Sequence, residues 1–194
     1  MAELIAYVAL YGVVMSLLAS LVFVIVVAAR KVNAQSILNR GTAIMYTEIV
    51  SEVVSLNPDT VYDHGVSDDG DSISVEFQKQ FYYTDSGEKK LVADNAAYNN
   101  KIVRIKYTYV RGSDNIDVLF TYGNTNTVTS SINLEYNMCI YSHDDNNPDT
   151  DDINTVFSVN RQNSTNTYVT FHGDLKYDNK RMEFNFIVPV FTIS

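Results

Sequence analysis

The stretch LIAYVALYGVVMSLLASLVFVIVVAA, residues 4–29, contains no charged side chain. About 20 apolar residues are enough to cross the hydrocarbon core of a bilayer as a helix, so this stretch is long enough to cross it with some tilt. A secretory signal peptide has a shorter apolar region preceded by basic residues, whereas here only Met1, Ala2 and Glu3 come first. The sequence therefore predicts a transmembrane helix over residues 1–29.

The helical pattern continues beyond the apolar stretch as an amphipathic helix. Apolar residues recur there at spacings of three and four, which is typical of a helix with one apolar face. Gly41 is the weak point of the pattern, and Asn57 followed by Pro58 predicts the end of the helix. We therefore expect one helix of about 55 residues, with an amphipathic second half over residues 30–57. The residues of its apolar face are Ile37, Leu38, Ile44, Met45, Ile49, Val53, Val54 and Leu56.

The remaining residues, 58–194, have the pattern of a sheet. Apolar and polar residues alternate with period two in several short runs, and polar turn residues separate the runs. Because the connections are too short for crossover helices, the pattern predicts an antiparallel sheet whose apolar face is covered by the amphipathic helix, an α+β fold. The predicted strands are 72–77, 81–83, 101–110, 118–122, 132–141, 155–159, 167–171 and 182–193, and the predicted turns are 85–87, 111–114, 123–124, 173–174 and 178–179.

Composition and motifs argue against several functional classes. The net charge is −9 and no basic cluster exceeds two consecutive residues, so the sequence has no nucleic-acid footprint. Cys139 is the only cysteine, which excludes an intramolecular disulfide. The sequence contains no nucleophile elbow, phosphate-binding loop, zinc-protease motif or dinucleotide fingerprint. We therefore expect no enzymatic activity and no organic cofactor.

One acidic loop offers a weak candidate for a metal site. Asp145, Asn147, Asp149 and Asp151 occupy every second position, the spacing at which side chains of a tightly curled loop converge on calcium. The usual glycine and the closing glutamate of such a loop are missing, so a solvated acidic loop is the favoured interpretation. Residues 68–71, Asp-Asp-Gly-Asp, are a second acidic candidate, for which an ordinary turn is favoured.

Small residues form a stripe on the apolar helix. Gly12, Ser16 and Ser20 recur at four-residue spacing, and such stripes allow helices to pack closely in lipid. The ordinary composition of membrane helices explains the stripe equally well.

The orientation of the helix is indicated by the basic residues beside it. Arg30 and Lys31 follow the apolar stretch, and by the positive-inside rule they would place the following domain in the cytoplasm unless basic residues also precede the helix.

The beginning of the sequence resembles type IV pilins, minor pilins and type II secretion pseudopilins. In that family a short basic leader ends in Gly and is followed by Phe-Thr, two apolar residues, Glu and Leu, and then by a long apolar helix. Met1 and Ala2 match the two apolar positions, and Glu3 and Leu4 match the Glu-Leu pair. Residues 40–53, RGTAIMYTEIVSEV, resemble the amphipathic helix of minor pilins. If the resemblance holds, Met1 is an internal methionine or the chain is truncated, and the leader and the Phe-Thr pair precede it.

The resemblance implies a fold, a place in the cell and a function. The fold is a long N-terminal helix packed on an antiparallel β-domain, anchored in the cytoplasmic membrane with residues 58–194 outside it. The function is that of a minor pilin or pseudopilin in a pilus, secretion or competence filament. Partners would be membrane lipid before assembly, other pilin-like subunits, an inner-membrane assembly platform and a prepilin peptidase. Glu3 would meet the N-terminal amine of a neighbouring subunit and set the register of the packed helices; the alternative is a carboxylate at the level of the lipid headgroups without a partner.

A second functional interpretation needs no filament. A membrane-anchored extracytoplasmic binding or sensor domain would share the helix and the sheet but would not require Glu3. The residues upstream of Met1 distinguish the two interpretations, because only a pilin-like subunit carries the family's leader.

Overall fold

The computed structural model describes residues 2–123, 126–134, 138–141, 156–161 and 166–191. Contacts divide the chain into two compact units, Met1–Ile37 and Leu38–Ser194. The first unit is helical in its described residues, and the second contains the end of the helix and the strands. This is the α+β organisation that the sequence predicts.

The long helix has three consecutive parts. An α-helix, α1, covers Ala2–Tyr46, a π-helical turn covers Thr47–Ser51, and a short α-helix, α2, covers Glu52–Leu56. Asn57 ends the helix in the left-handed conformation with φ 48°, and its N–H donates to the carbonyl oxygens of Val53 and Val54 at 3.0 and 3.1 Å. This is a helix C-cap of the kind that asparagine tolerates, and Pro58 then prevents continuation. The predicted helix end is confirmed.

The described strands are antiparallel, as predicted, and form two larger sheets and one hairpin. One sheet has five strands in the order β1-β2-β5-β6-β7, the other contains β11-β10-β8 with β9 also paired to β10, and β3 pairs with β4. The strands are β1 Thr60–Val66, β2 Ser72–Gln78, β3 Phe81–Tyr83, β4 Lys89–Leu91, β5 Ile102–Val110, β6 Asn115–Tyr122, β7 Asn126–Asn133, β8 Cys139–Tyr141, β9 Phe157–Arg161, β10 Asn166–Tyr177 and β11 Lys180–Phe191.

Alternate residues of the central strands form the core. On β5 the side chains of Val103, Ile105, Tyr107 and Tyr109 are buried, and the residues between them are half-buried. Such alternation places one face of each strand inside. The period-two pattern of the sequence therefore predicts the buried face of β5 correctly.

An aromatic cluster joins the two larger sheets around Phe171 of β10. Its ring lies 6.3 Å from that of Phe77 on β2, 5.7 Å from Tyr107 on β5 and 5.0 Å from Phe157 on β9. His64 of β1 adds a polar contact, with its Nε2 2.8 Å from the carbonyl oxygen of Phe157. The two sheets thus share one core.

The helical part of the second unit covers this core. The Tyr46 ring lies 5.5 Å from that of Phe186 on β11, and the Tyr107 hydroxyl lies 3.4 Å from the carbonyl oxygen of Ile49. Gly41 lies against Met138 and Leu175. The predicted apolar face is buried at Leu38, Met45, Ile49, Val53 and Leu56, half-buried at Ile44 and exposed at Val54.

Two elements of the sequence prediction are wrong. Gly173 and Asp174 do not form a turn but lie within β10, paired with Phe184 and Glu183 of β11. Residues 132–141 are not one strand, because β7 ends at Asn133 in the five-stranded sheet while β8 begins at Cys139 and pairs with β10. The sequence pattern also missed β1, β4 and most of β7.

Candidate assembly site

The first unit exposes an apolar helical surface. The exposed fraction is 70% for the side chain of Leu4, 65% for Leu17 and 69% for Phe23, and no residue of its most apolar 18-residue window is buried. The helix of which it is part, Glu3–Leu56, is long and apolar enough by length and composition to cross a membrane. In water so large a contiguous apolar surface is unfavourable, and such surfaces mark sites that contact a membrane or another protein.

Glu3 is the acidic residue of the first turn of α1 and is exposed. A carboxylate in the first helical turn interacts favourably with the N–H groups and the dipole of the helix. That interaction stabilises the carboxylate at the end of the helix. It does not offset the free energy that a carboxylate loses when it is transferred from water to lipid. A carboxylate at this position would need a cation or hydrogen-bond donors beside it if the end of the helix were buried in lipid.

The small-residue stripe of Gly12, Ser16 and Ser20 lies on exposed positions of α1. A Cβ added at Gly12 would meet no atom within 4 Å, so the backbone there is open to close approach. The hydroxyl of Ser20 donates to the carbonyl oxygen of Ser16 at 2.9 Å. Because this internal bond satisfies the Ser20 donor, Ser20 can lie in lipid without a partner and can also pack against a second helix.

Two tyrosines extend the line that begins at Glu3. Tyr7 and Tyr11 follow Glu3 at successive intervals of four residues, and their exposed fractions are 72% and 63%. Residues four apart lie on the same side of a helix, so the carboxylate and both phenols share one side. No sequence motif marks the two tyrosines, and their four-residue spacing from Glu3 is the only signal in the sequence that indicates them.

The calcium candidate cannot be placed, since Asp145, Asn147, Asp149 and Asp151 all lie outside the described residues. Within the described ranges, no group of three or more His, Cys, Asp or Glu side chains is arranged to hold a metal ion.

The second acidic candidate, residues 68–71, is part of the turn between β1 and β2. The hydroxyl of Ser67 and the N–H of Asp71 both donate to the carboxylate of Asp69, the latter at 3.0 Å. These two hydrogen bonds lower the pKa of Asp69, the Ser67 bond having the larger effect. The Gly70 N–H donates to the carbonyl oxygen of Ser67 at 2.9 Å, and Gly70 has φ +74°, which a side chain would strain. The Asp69 carboxylate thus stabilises the turn.

Asp59 is a buried carboxylate in the second unit, 4% exposed. Its oxygens accept hydrogen bonds from the N–H of Gln80 at 3.0 Å and from the N–H of Phe81 at 2.8 Å. These donors offset much of the cost of burying the charge. Asp59 therefore fixes the chain between β2 and β3 to the end of the helix, a structural task that the sequence pattern did not indicate.

The chain was compared with protein-family models, with curated proteins and with solved structures, and none of the three comparisons found a match.

Proposed function

We propose that this chain is a structural subunit of a pilin-like filament, a minor pilin or pseudopilin whose task is assembly rather than catalysis. The observation that carries the proposal is the exposed apolar surface along residues 4–26, on a helix whose last part packs on a β-domain. A helix of this kind needs lipid or other helices around it. A filament subunit meets both environments, lipid before assembly and neighbouring helices afterwards.

Glu3 gives the assembly its register. A carboxylate at the end of an apolar helix costs free energy in lipid unless a cation or hydrogen-bond donors surround it. The N-terminal amine of a neighbouring subunit would supply that cation, and the pair would form at only one axial offset between two packed helices. The stripe of Gly12, Ser16 and Ser20 would then allow the two backbones to approach.

The β-domain would be displayed outside the cytoplasmic membrane. This topology follows from the resemblance of residues 1–4 to the mature start of pilins, in which a basic leader precedes the apolar helix. Mass spectrometry of the native protein's N-terminus tests the topology together with the family. A start at Phe-Thr-Met-Ala-Glu supports a processed pilin-like subunit, whereas a start at Met1 favours an anchored domain on the cytoplasmic side, because Arg30 and Lys31 would then determine orientation.

Replacing Glu3 tests the assembly role directly. We expect Glu3→Gln to insert into the membrane at least as well as the unchanged chain, because it removes a charge, and to lower incorporation into sheared filaments about tenfold, which corresponds to about 1.4 kcal/mol. Filament yield and membrane content are measured by quantitative immunoblotting of both fractions in cells that produce the protein.

Two further variants complete this experiment. Glu3→Asp keeps the charge and should retain part of the assembly, and Glu48→Gln removes an exposed carboxylate from the far part of the same helix and should assemble normally. Unchanged filament yield for Glu3→Gln would contradict the proposed role and would favour the anchored binding or sensor domain.

A further inference from the structure

A cleft of about 310 Å³ lies on the second unit between β2, β5 and the segment after β4. Lys79 and Arg104 are its two cationic residues, and Gln78, Gln80 and Thr121 supply amide and hydroxyl groups. No Asp or Glu lines this cleft among the residues that the structure describes. In a chain of net charge −9, a concavity whose own lining holds cations and no carboxylate is suited to an anion, although Lys79 also lines two neighbouring clefts whose linings include Glu52 and Asp59.

The two cations of the cleft differ in their interactions with other residues. The Arg104 guanidinium lies 3.6 Å from a carboxylate oxygen of Glu76 and 4.3 Å from the centre of the Tyr62 ring. The Lys79 ammonium has no hydrogen bond or ion pair with any residue in the described ranges, and Lys79 is half-buried. A partly desolvated ammonium gains most from a carboxylate that enters the same concavity. Lys79 is thus the group that a ligand of this cleft would engage.

The turn at the other end of β2 presents carboxylates of the required kind. Asp68, Asp69 and Asp71 are all exposed. Asp69 is used within the turn, and Asp71 lies 3.9 Å from Arg111, whereas the Asp68 carboxylate makes no such contact with the described residues. The hydrogen bonds of the turn hold its backbone in place, so little conformational freedom would be lost when Asp68 binds a partner.

Within one molecule the turn and the cleft are kept apart. Residues 67–71 precede β2 and Lys79 follows it, and seven extended residues separate them by roughly 23 Å. Asp68 therefore cannot reach Lys79 of its own chain. A contact between these two different patches on different copies is heterologous, and such contacts repeat along an open chain when the rotation does not close a ring.

We propose that the Lys79 cleft binds the acidic turn of a second copy of this chain, with the Asp68 carboxylate on the Lys79 ammonium. The contact rests on the proposed function, since it gives the β-domains of a filament a head-to-tail connection besides the packing of the N-terminal helices. It assigns an interaction surface to the domain, and Lys79 is the residue that selects the partner.

Zero-length coupling of carboxylates to amines tests the contact on the full chain. Equal amounts of ¹⁴N- and ¹⁵N-labelled protein are reconstituted together in phosphatidylcholine vesicles, treated with a carbodiimide and digested for mass spectrometry. We expect a cross-linked peptide pair that joins Lys79 to Asp68 and contains one light and one heavy peptide. Such a mixed pair can arise only between two molecules.

Variants make the result specific. Lys79→Gln should abolish the mixed pair, and the matched control Lys101→Gln, which changes an exposed lysine outside this cleft, should leave it unchanged. Neither Lys79→Asp alone nor Asp68→Lys alone should form the link, because each variant pairs like charges. A mixture of the two should form it between different chains, both in the original sense and with its two ends exchanged. In the same vesicles, Lys79→Gln should lower the yield of all links to residues 68–71 about tenfold, which corresponds to about 1.4 kcal/mol.

The outcome also separates this contact from the proposed function. Absence of the mixed pair, or a pair that persists in Lys79→Gln at the same turn, would overturn the contact. Energy transfer between dyes on the helices of separate copies measures association independently. If energy transfer shows association but the Lys79 link is absent, only the proposed contact between the β-domains is contradicted. If energy transfer and the link are both absent, the assembly proposal is contradicted as well.

Discussion

At the scale of single residues, Tyr107 shows how the sheet meets the helix. Its side chain is fully buried, and its hydroxyl lies 3.5 and 3.4 Å from the carbonyl oxygens of Glu48 and Ile49. Burial raises the pKa of Tyr107, and the negative charges of Glu52 and Glu48 raise it further. Loss of the phenol proton in the folded protein is therefore unfavourable.

This raised pKa predicts how stability depends on alkaline pH. A tyrosine exposed to water has an ordinary pKa of 10.0, so above pH 10 the unfolded chain releases the Tyr107 proton while the folded chain keeps it. The folded state then binds more protons, and its free energy of unfolding falls as pH rises, by about 1.4 kcal/mol per pH unit from this group. We expect Tyr107→Phe, which has no proton to release, to remove that part of the slope.

Chemical unfolding of the full chain in detergent between pH 9 and 12 measures the effect. The other tyrosines contribute equally to both proteins, so the difference between the two slopes isolates Tyr107. Equal slopes above pH 10 would show that the Tyr107 hydroxyl reaches solvent in the folded protein.

At the scale of elements, Gly41 determines how closely the helix approaches the sheets. A Cβ added there would lie 2.7 Å from Cε and 2.8 Å from Sδ of Met138, and 3.2 Å from Cδ1 of Leu175. In the sequence Gly41 only weakens the helical pattern, because glycine costs about 1 kcal/mol relative to alanine in a helix. The structure gives the reason for the glycine, which is the packing of Met138 against the helix backbone.

Gly41→Ala should therefore destabilise the protein although it improves helix propensity. The atoms that must move are the flexible end of Met138, but Met138 is itself fully buried, so its displacement still overpacks the core. Overpacking costs about 1–3 kcal/mol and alanine gains about 1 kcal/mol, so we expect a net loss of about 1 kcal/mol in the free energy of unfolding. In a Met138→Ala background the clash is absent, and the same change should be neutral or stabilising. Denaturant unfolding of the four proteins of this double-mutant cycle provides the test, and a stabilising Gly41→Ala in the unchanged background would contradict it.

The elements that the sequence predicted are those with one buried face. On β2 and β5 apolar and polar residues alternate because one side of each strand faces the core. The edge strand β7, with the sequence NTVTSSIN, is mostly exposed and therefore carries little hydrophobic signal. Gly173 and Asp174 resemble a turn, yet β10 and β11 pair through them, and only the tertiary pairing decides that outcome.

At the scale of the whole molecule, the candidate site was recognised from composition and resemblance rather than from geometry. The apolar stretch and Glu3 could be recognised in the sequence, because a helix that crosses lipid needs about 20 apolar residues and rarely carries a charged residue. The Lys79 cleft was not visible, since Lys79 and Arg104 are 25 positions apart and only the pairing of β2 with β5 brings their neighbourhoods together.

The proposed association of chains through the small-residue stripe gives a further prediction. Ser16→Leu places a large side chain where two backbones would approach, so it should weaken pairing of the chains in vesicles by about 1 kcal/mol and leave membrane insertion intact. Val14→Leu, on another side of α1, is the matched control and should pair normally. Energy transfer between labelled copies measures pairing, and equal transfer for Ser16→Leu and the unchanged chain would show that this stripe faces lipid.

The π-helical turn of Thr47–Ser51 has a consequence for the phase of the helix. Met45, Ile49 and Val53 are fully buried and lie four residues apart. In a regular α-helix of 3.6 residues per turn, each step of four residues rotates the next side chain by about 40°, and repeated steps would carry it off the face that meets the core. A π turn holds one residue more than the corresponding α turn and rotates later side chains back. The extra residue thus keeps Met45, Ile49 and Val53 on the face of the helix that packs on the sheets. The helix therefore needs no supercoil to maintain this contact.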